Sequence, residues 1–161
     1  MNKIISFALI LTGIIGTGSV SARDINKDDL KWSFRESSVN SIQVPISNDR
    51  KSLVRFTHFN SGNTAFSIYV STECKMKNGV EHIVLVNYQK IKFNKECNTE
   101  KFVQLQTLSP NAVDFIAKEL KNNKNVEIII PMTDSKVTFE ITGNNFNQEY
   151  KKFERLSSEV L

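Results

Sequence analysis

Cys74 and Cys97 are the only cysteines in the chain, and the segment they bracket, C-KMKNGVEHIVLVNYQKIKFNKE-C, constrains the fold more than any other stretch. Two thiols allow one intramolecular pairing. A persistent disulfide requires an oxidising compartment. The pair is not a C-x-x-C, and no Cys/His cluster accompanies it, so a structural bridge outweighs a redox or metal role. Closing a loop of this length stabilises a fold by roughly 3 kcal/mol in the chain-entropy account. Glu73 and Glu96 each precede a cysteine. Neighbouring carboxylates can work as acid and base, but on strand flanks they are expected to face solvent, away from the sulfurs.

The N-terminus supplies the compartment. Lys3 is a positive n-region, Ile4 to Ile15 an apolar h-region, and Val20-Ser21-Ala22 the small residues of a peptidase site. Residues 1–22 therefore read as a cleaved signal peptide of bacterial type, and residues 23–161 as one mature domain starting at Arg23. The apolar run is shorter than the ~20 residues a membrane span needs, and no later stretch is apolar enough. The expected location is the periplasm or outside the cell, with no transmembrane segment in the mature chain.

The chain has 161 residues, 40% of them hydrophobic, which suits a single domain with a real core. Leu30, Trp32 and Phe34 alternate with polar residues, the period of a half-buried strand. Ile42 to Ile46 is expected as a short edge strand, because Pro45 cannot donate to a ladder. Leu53 to Phe59 and Ala65 to Thr72 form a hairpin around Asn60-Ser61-Gly62-Asn63. Asn78-Gly79 is a turn suited to a tight hairpin. Val80 to Val86 reads as a central strand, and Ile91 and Phe93 continue a meander into Cys97. Phe102 to Leu105 is a further strand.

Ser109-Pro110 then starts a helix, with Ser109 as N-cap and Val113, Ile116, Ala117 and Leu120 on its buried face. Asp114 early and Lys118 and Lys121 late suit the helix dipole. Two strands follow, marked by Val126, Ile128 and Ile130 and by Val137, Phe139 and Ile141. Phe146, Tyr150 and Phe153 predict a C-terminal helix packed on the sheet, frayed from Ser157 on. The fold class is α+β and β-rich: a mainly antiparallel sandwich or curved sheet with one capped helix between strands and a C-terminal helix.

The formal charge is +4, and removing Lys3 leaves +3, scattered rather than blocked. A nucleic-acid binder clusters its Lys and Arg, so none is expected as partner. The two histidines, His58 and His82, cannot furnish a zinc site once the sulfurs are bridged. No G-x-S-x-G, S-x-x-K or glycine-rich phosphate loop occurs. No cofactor, metal or catalytic residue is assigned, and the missing motifs argue against an enzyme.

Four C-terminal segments carry a family likeness: C-N-T-E-K-F-V-Q-L from Cys97, S-P-N-A-V-D-F-I-A-K-E-L-K from Ser109, V-E-I-I-I-P from Val126, and K-V-T-F-E-I-T-G-N-N-F-N-Q-E-Y-K-K-F from Lys136. From about residue 80 to 153, the pattern resembles the end of small exported bacterial proteins of the invasion-associated locus B type. Two asparagines between Gly143 and Phe146 and the lack of a second bridge depart from that pattern. The resemblance implies an exported, β-rich, non-catalytic protein and transfers no active site.

The function expected is a binding or accessory protein of the envelope or secretome that contacts another protein. A sharper form is a periplasmic inhibitor or immunity protein against a toxin or hydrolase. Candidate contacts are the turns at Ser61-Gly62-Asn63 and Asn78-Gly79, each also readable as a plain hairpin turn, and Lys151, Lys152 and Arg155 on the last helix. Those three cations also suit anionic lipid or polysaccharide, a salt-sensitive alternative. A small secreted hydrolase, its triad assembled in space around His58 or His82, is the alternative from another class.

Overall fold

The computed structural model describes residues 30–46, 51–74, 79–99, 101–122, 125–132 and 135–159. The expected signal peptide and Asn78 lie outside the described residues. Alternating apolar residues give β1 (Ser33–Arg35), β2 (Asn40–Pro45), β3 (Leu53–His58), β4 (Thr64–Ser71), β5 (Val80–Val86), β6 (Gln89–Thr99) and β7 (Phe102–Thr107). The helical period then gives α1 (Pro110–Lys121), followed by β8 (Val126–Pro131), β9 (Lys136–Ile141) and α2 (Phe146–Ser158).

The strands form one antiparallel sheet in the order β1-β2-β3-β4-β7-β6-β5-β8-β9, so the curved-sheet alternative holds and the sandwich does not. The sheet curls so that the start of β1 comes near the end of β9. The Trp32 indole N–H donates to the Thr142 carbonyl at 2.8 Å, across the gap between the start of β1 and the end of β9. Asn145, left-handed at φ 52°, completes the clasp. Its side chain accepts from Trp32 N–H at 2.9 Å and donates to the Trp32 carbonyl at 3.0 Å. These bonds satisfy backbone groups that the sheet edge would otherwise leave open.

Two expectations about connectivity need correction. The chain does not continue as a meander from β4 to β5. β4 pairs with β7, and the chain passes two strands, β7 and β6, before β5 begins. The Cys74–Cys97 disulfide fastens this crossing to β6, with Cα atoms 5.8 Å apart. Its place explains its use: the β4–β7 ladder ends at Ser71, and a covalent tie anchors the departing chain to β6 three residues later. β2 is also not an edge strand, since β1 covers it from Ser41 to Gln43. Pro45 lies past the end of β1 and pairs only with Leu53 on β3, so its missing N–H falls where no ladder partner stands.

The helices fill the concave face. Val113, Ile116, Ala117 and Leu120 of α1 and Phe146, Tyr150 and Phe153 of α2 are buried, as the period predicts. Ser109 caps α1 without a side-chain bond; its carbonyl accepts instead from Ala112 and Val113 N–H at 3.0 Å each. No acidic residue falls in the first turn of α1, which leaves Asp114 past the reach expected of it. Helix α2 runs through Ser157, which is buried rather than frayed. Aromatic rings concentrate under α2. Trp32 and Phe146 lie 4.8 Å apart by centroid, Phe56 and Phe66 4.9 Å, and Phe146 and Tyr150 4.9 Å. Such pairs add about 0.5–1.5 kcal/mol each beyond area burial. Burial, with Glu154 and Asp114 nearby, pushes the Tyr150 hydroxyl up to about 12, so the ring stays neutral within this stack.

Candidate functional site

Antiparallel pairing sorts the connections to two ends. The β3–β4 turn and the β5–β6 turn share one end, because β4 and β6 both start where β7 finishes. The β4–β5 crossing and its disulfide lie at the other.

At the turn end, the loop from Phe59 to Asn63 closes through Phe59 N–H to the Asn63 carbonyl and Gly62 N–H to the Phe59 carbonyl, both at 2.9 Å. Gly62 adopts φ 82°, a left-handed conformation that glycine enters without a Cβ penalty. Ser61, Gly62 and Asn63 are exposed at the tip. The expected hairpin is thus present, and the candidate residues project from a hydrogen-bonded support.

The neighbouring turn carries a feature that sequence reasoning missed. β5 and β6 are joined by two residues, Asn87 at φ 46° and Tyr88 at φ 65°. Both angles positive is the pattern of a type I′ turn, where glycine is the usual second residue. Tyr88 takes that position and is 79% exposed. Asn87 fixes the turn from below. Its N–H donates to the Glu127 carbonyl at 2.9 Å, and its side-chain oxygen accepts from Glu127 N–H at 2.9 Å. Its amide donates to Glu119 of α1 at 3.0 Å. The available signal was an Asn between two strand-like runs, V-L-V and Q-K-I-K-F; the lack of glycine hid it.

Of the expected Asn78-Gly79 turn only Gly79 is described, and it lies elsewhere. Gly79, at φ 75°, donates to the Lys95 carbonyl at 2.9 Å, so it leads the crossing into the β5–β6 ladder rather than closing a hairpin. Lys151, Lys152 and Arg155 are exposed on α2 and border a 440 Å³ groove with Gln148 and Glu149. The Lys152 ammonium sits 4.7 Å from the Phe34 ring centre, a cation–π contact that ties α2 to β1. The candidate residues therefore occupy separate surfaces.

His58 opens on a polar cleft of 270 Å³ lined also by Glu36, Ser37, Ser38, Asn40, Asn60, Leu156 and Glu159. Its Nδ1 is 3.0 Å from Thr64 Oγ1, and its ring meets Phe153 edge-on. The Ser37 hydroxyl donates to the Val39 carbonyl at 2.9 Å, which turns it into its own loop. A triad needs serine, base and carboxylate in one hydrogen-bonded line, and these bonds point elsewhere.

His82 faces the interior at the bridge end. Its Nε2 is buried with no hydrogen-bond partner among the described residues, beside a cavity of about 10 Å³ lined by Thr72, Lys95, Val103, Ile130, Met132 and Val137 among others. That volume has room for at most one water. Burial, then the Lys95 charge, hold the imidazole pKa below its ordinary value, and a hydrogen bond to the Pro131 backbone partly opposes them. His82 is thus a β5 residue turned toward the interior rather than to solvent.

Among the described residues, no three His, Cys, Asp or Glu side chains converge as metal ligands, and no helix is long and apolar enough to cross a membrane. Protein-family models, curated proteins and solved structures offer no match to this chain.

Proposed function

We propose that the protein is an exported, non-catalytic bacterial binding protein of the envelope or secretome that acts by protein–protein contact. The observation that carries this reading is the pair of fixed, exposed turns at one end of the sheet, Ser61–Asn63 and Asn87–Tyr88, above an interior packed with side chains. Rigid, exposed elements lose little conformational freedom on binding, and aromatic side chains are enriched among contacts that dominate affinity. A partner covering one face would bury ~800 Å² of this protein, the size of a standard interface. The disulfide suits an oxidising compartment, as export through residues 1–22 would provide. The likeness to invasion-associated locus B proteins belongs to the same proposal, as does the sharper form of a periplasmic inhibitor or immunity protein.

Crosslinked capture tests the reading, with the mature oxidised protein as bait against periplasmic and culture-supernatant fractions. One stoichiometric protein retained at high salt is expected. Retention of nothing, or only of anionic material released by salt, contradicts it. The hydrolase reading draws on the cleft that groups His58 with Glu36, Glu159 and two serines. It requires turnover of ester or amide substrates that disappears in His58→Ala.

A further inference from the structure

The start of β6 has a ladder on one side only. Gln89 to Phe93 pair with β5, whereas the β6–β7 register begins at Asn94. β7 ends at Thr107, and the chain turns away through Leu108 into α1. The space left beside β6 is a 290 Å³ groove between the strand and the first turns of α1. Ile91, Ala112 and Phe115 supply apolar lining, and Lys90, Lys92, Gln89, Ser109 and Asn111 the polar part. Leu108, half exposed, precedes the helix. Tyr88 stands at the head of the same strand, in a turn that Asn87 fastens to α1.

Three properties of this groove agree on one occupant. An unpaired strand edge offers backbone donors and acceptors to an extended chain. Apolar lining rewards an apolar side chain at alternate positions. The charged side chains lining the groove are both lysines. Lys92 pairs with Glu81 at 3.1 Å, while Lys90 is exposed and has no ion-pair partner among the described residues. The first turn of α1 adds no acidic side chain. The site complements carboxylates. Tyr88 in the left-handed region is an outlier for a bulky residue, and such strain is concentrated at functional positions.

We infer that the groove between β6 and α1 binds an extended acidic and apolar segment of a partner protein, which adds to the β6 edge at Gln89–Phe93 with Tyr88 packed against it. The inference rests on the reading of this chain as a protein-binding module, and it adds the site and the chemistry of the partner. Lys90 and Lys92 pair with the segment's carboxylates, and Phe115, Ala112 and Ile91 receive its apolar side chains.

The test uses three labelled peptides on the oxidised full-length mature chain: Glu alternating with Leu and Phe, a twin with Lys for Glu, and a twin with Gln for Glu. Fluorescence polarisation should show the Glu peptide binding about ten-fold more tightly than the Gln twin, with the Lys twin weakest. Lys90→Ala and Tyr88→Gly should each weaken the Glu peptide about ten-fold, whereas Lys136→Ala, the same charge change on β9, should not. Amide exchange should slow at Lys90 and Lys92, whose N–H groups face the open edge, when the Glu peptide is bound. Equal binding of all three peptides, no binding of any, or unchanged affinity in both groove variants overturns the inference. A partner captured in the pull-down equally by wild type and by Tyr88→Gly would overturn this site while leaving the binding-module reading intact.

Discussion

The two ends of the curled sheet solve different problems. At the bridge end the chain must cross two strands to reach β5, and a disulfide, buried Lys95 and inward-facing His82 gather there. At the turn end the β3–β4 and β5–β6 turns join neighbouring strands, so the ladder already fixes the chain there, while α1 carries it from β7 to β8. Short turns are then left to project polar and aromatic groups into solvent. The contrast teaches that the covalent tie sits where topology leaves the chain unsupported, while exposed groups sit where local hydrogen bonds supply rigidity. The bridge end holds the fold, and the turn end presents a surface.

Removing the bridge probes the first half of that contrast and should have the largest effect. Cys74→Ala with Cys97→Ala should lower stability by about 2–4 kcal/mol in urea denaturation while the fold survives at low temperature. An unchanged midpoint would show that the crossing is held by something else.

The turn end can be probed by exchanging its residues at positive φ. Gly62→Ala should destabilise by about 1 kcal/mol, because open space surrounds the added Cβ and only the backbone conformation penalises it. Tyr88→Gly should do the reverse and raise stability by roughly 0.5–1 kcal/mol, since glycine relieves the left-handed strain at a largely exposed site. A loss of stability in Tyr88→Gly would mean that the ring packs on the fold rather than waiting for a partner.

The smallest effect concerns His82. Its folded pKa is held below the unfolded value of 6.5, by burial first and Lys95 second. The unfolded chain then binds the proton more readily. The contribution of neutral His82 to stability is complete above pH 6.5 and is lost as pH falls from there toward the folded pKa. Thermal melts at pH 7.5 and 5.5 should therefore show a larger acid loss in wild type than in His82→Gln. Equal losses would place the acid sensitivity elsewhere.

Much of this fold is legible in the sequence, because strands and helices depend on periods that neighbours share. Val113, Ile116, Ala117 and Leu120 mark α1, and Phe146, Tyr150 and Phe153 mark the buried side of α2. The pairing of the bridge follows from the cysteine count, and its formation from the expected export. Which strand pairs with which is another matter, since β4 and β7 meet through contacts more than thirty residues apart, as between Phe66 and Thr107. No local pattern records such a pairing. Val80 to Val86 is flanked by two strands as expected, yet Ile83 on its outer side is 37% exposed, because the helices cover one face of the sheet alone. The candidate surface was legible in part. Gly62 advertises its turn, whereas Tyr88 occupies a glycine position without glycine. Its groove exists only because β7 stops short of the start of β6.

The measurement that tests the division between holding and presenting most directly is crosslinked capture with three baits at low temperature: wild type, Tyr88→Gly, and the double cysteine variant. The account predicts that Tyr88→Gly loses the partner although it is the more stable protein, and that the cysteine variant keeps the partner although it is the less stable one. Capture that follows stability instead, strongest with Tyr88→Gly and weakest without the bridge, would contradict it.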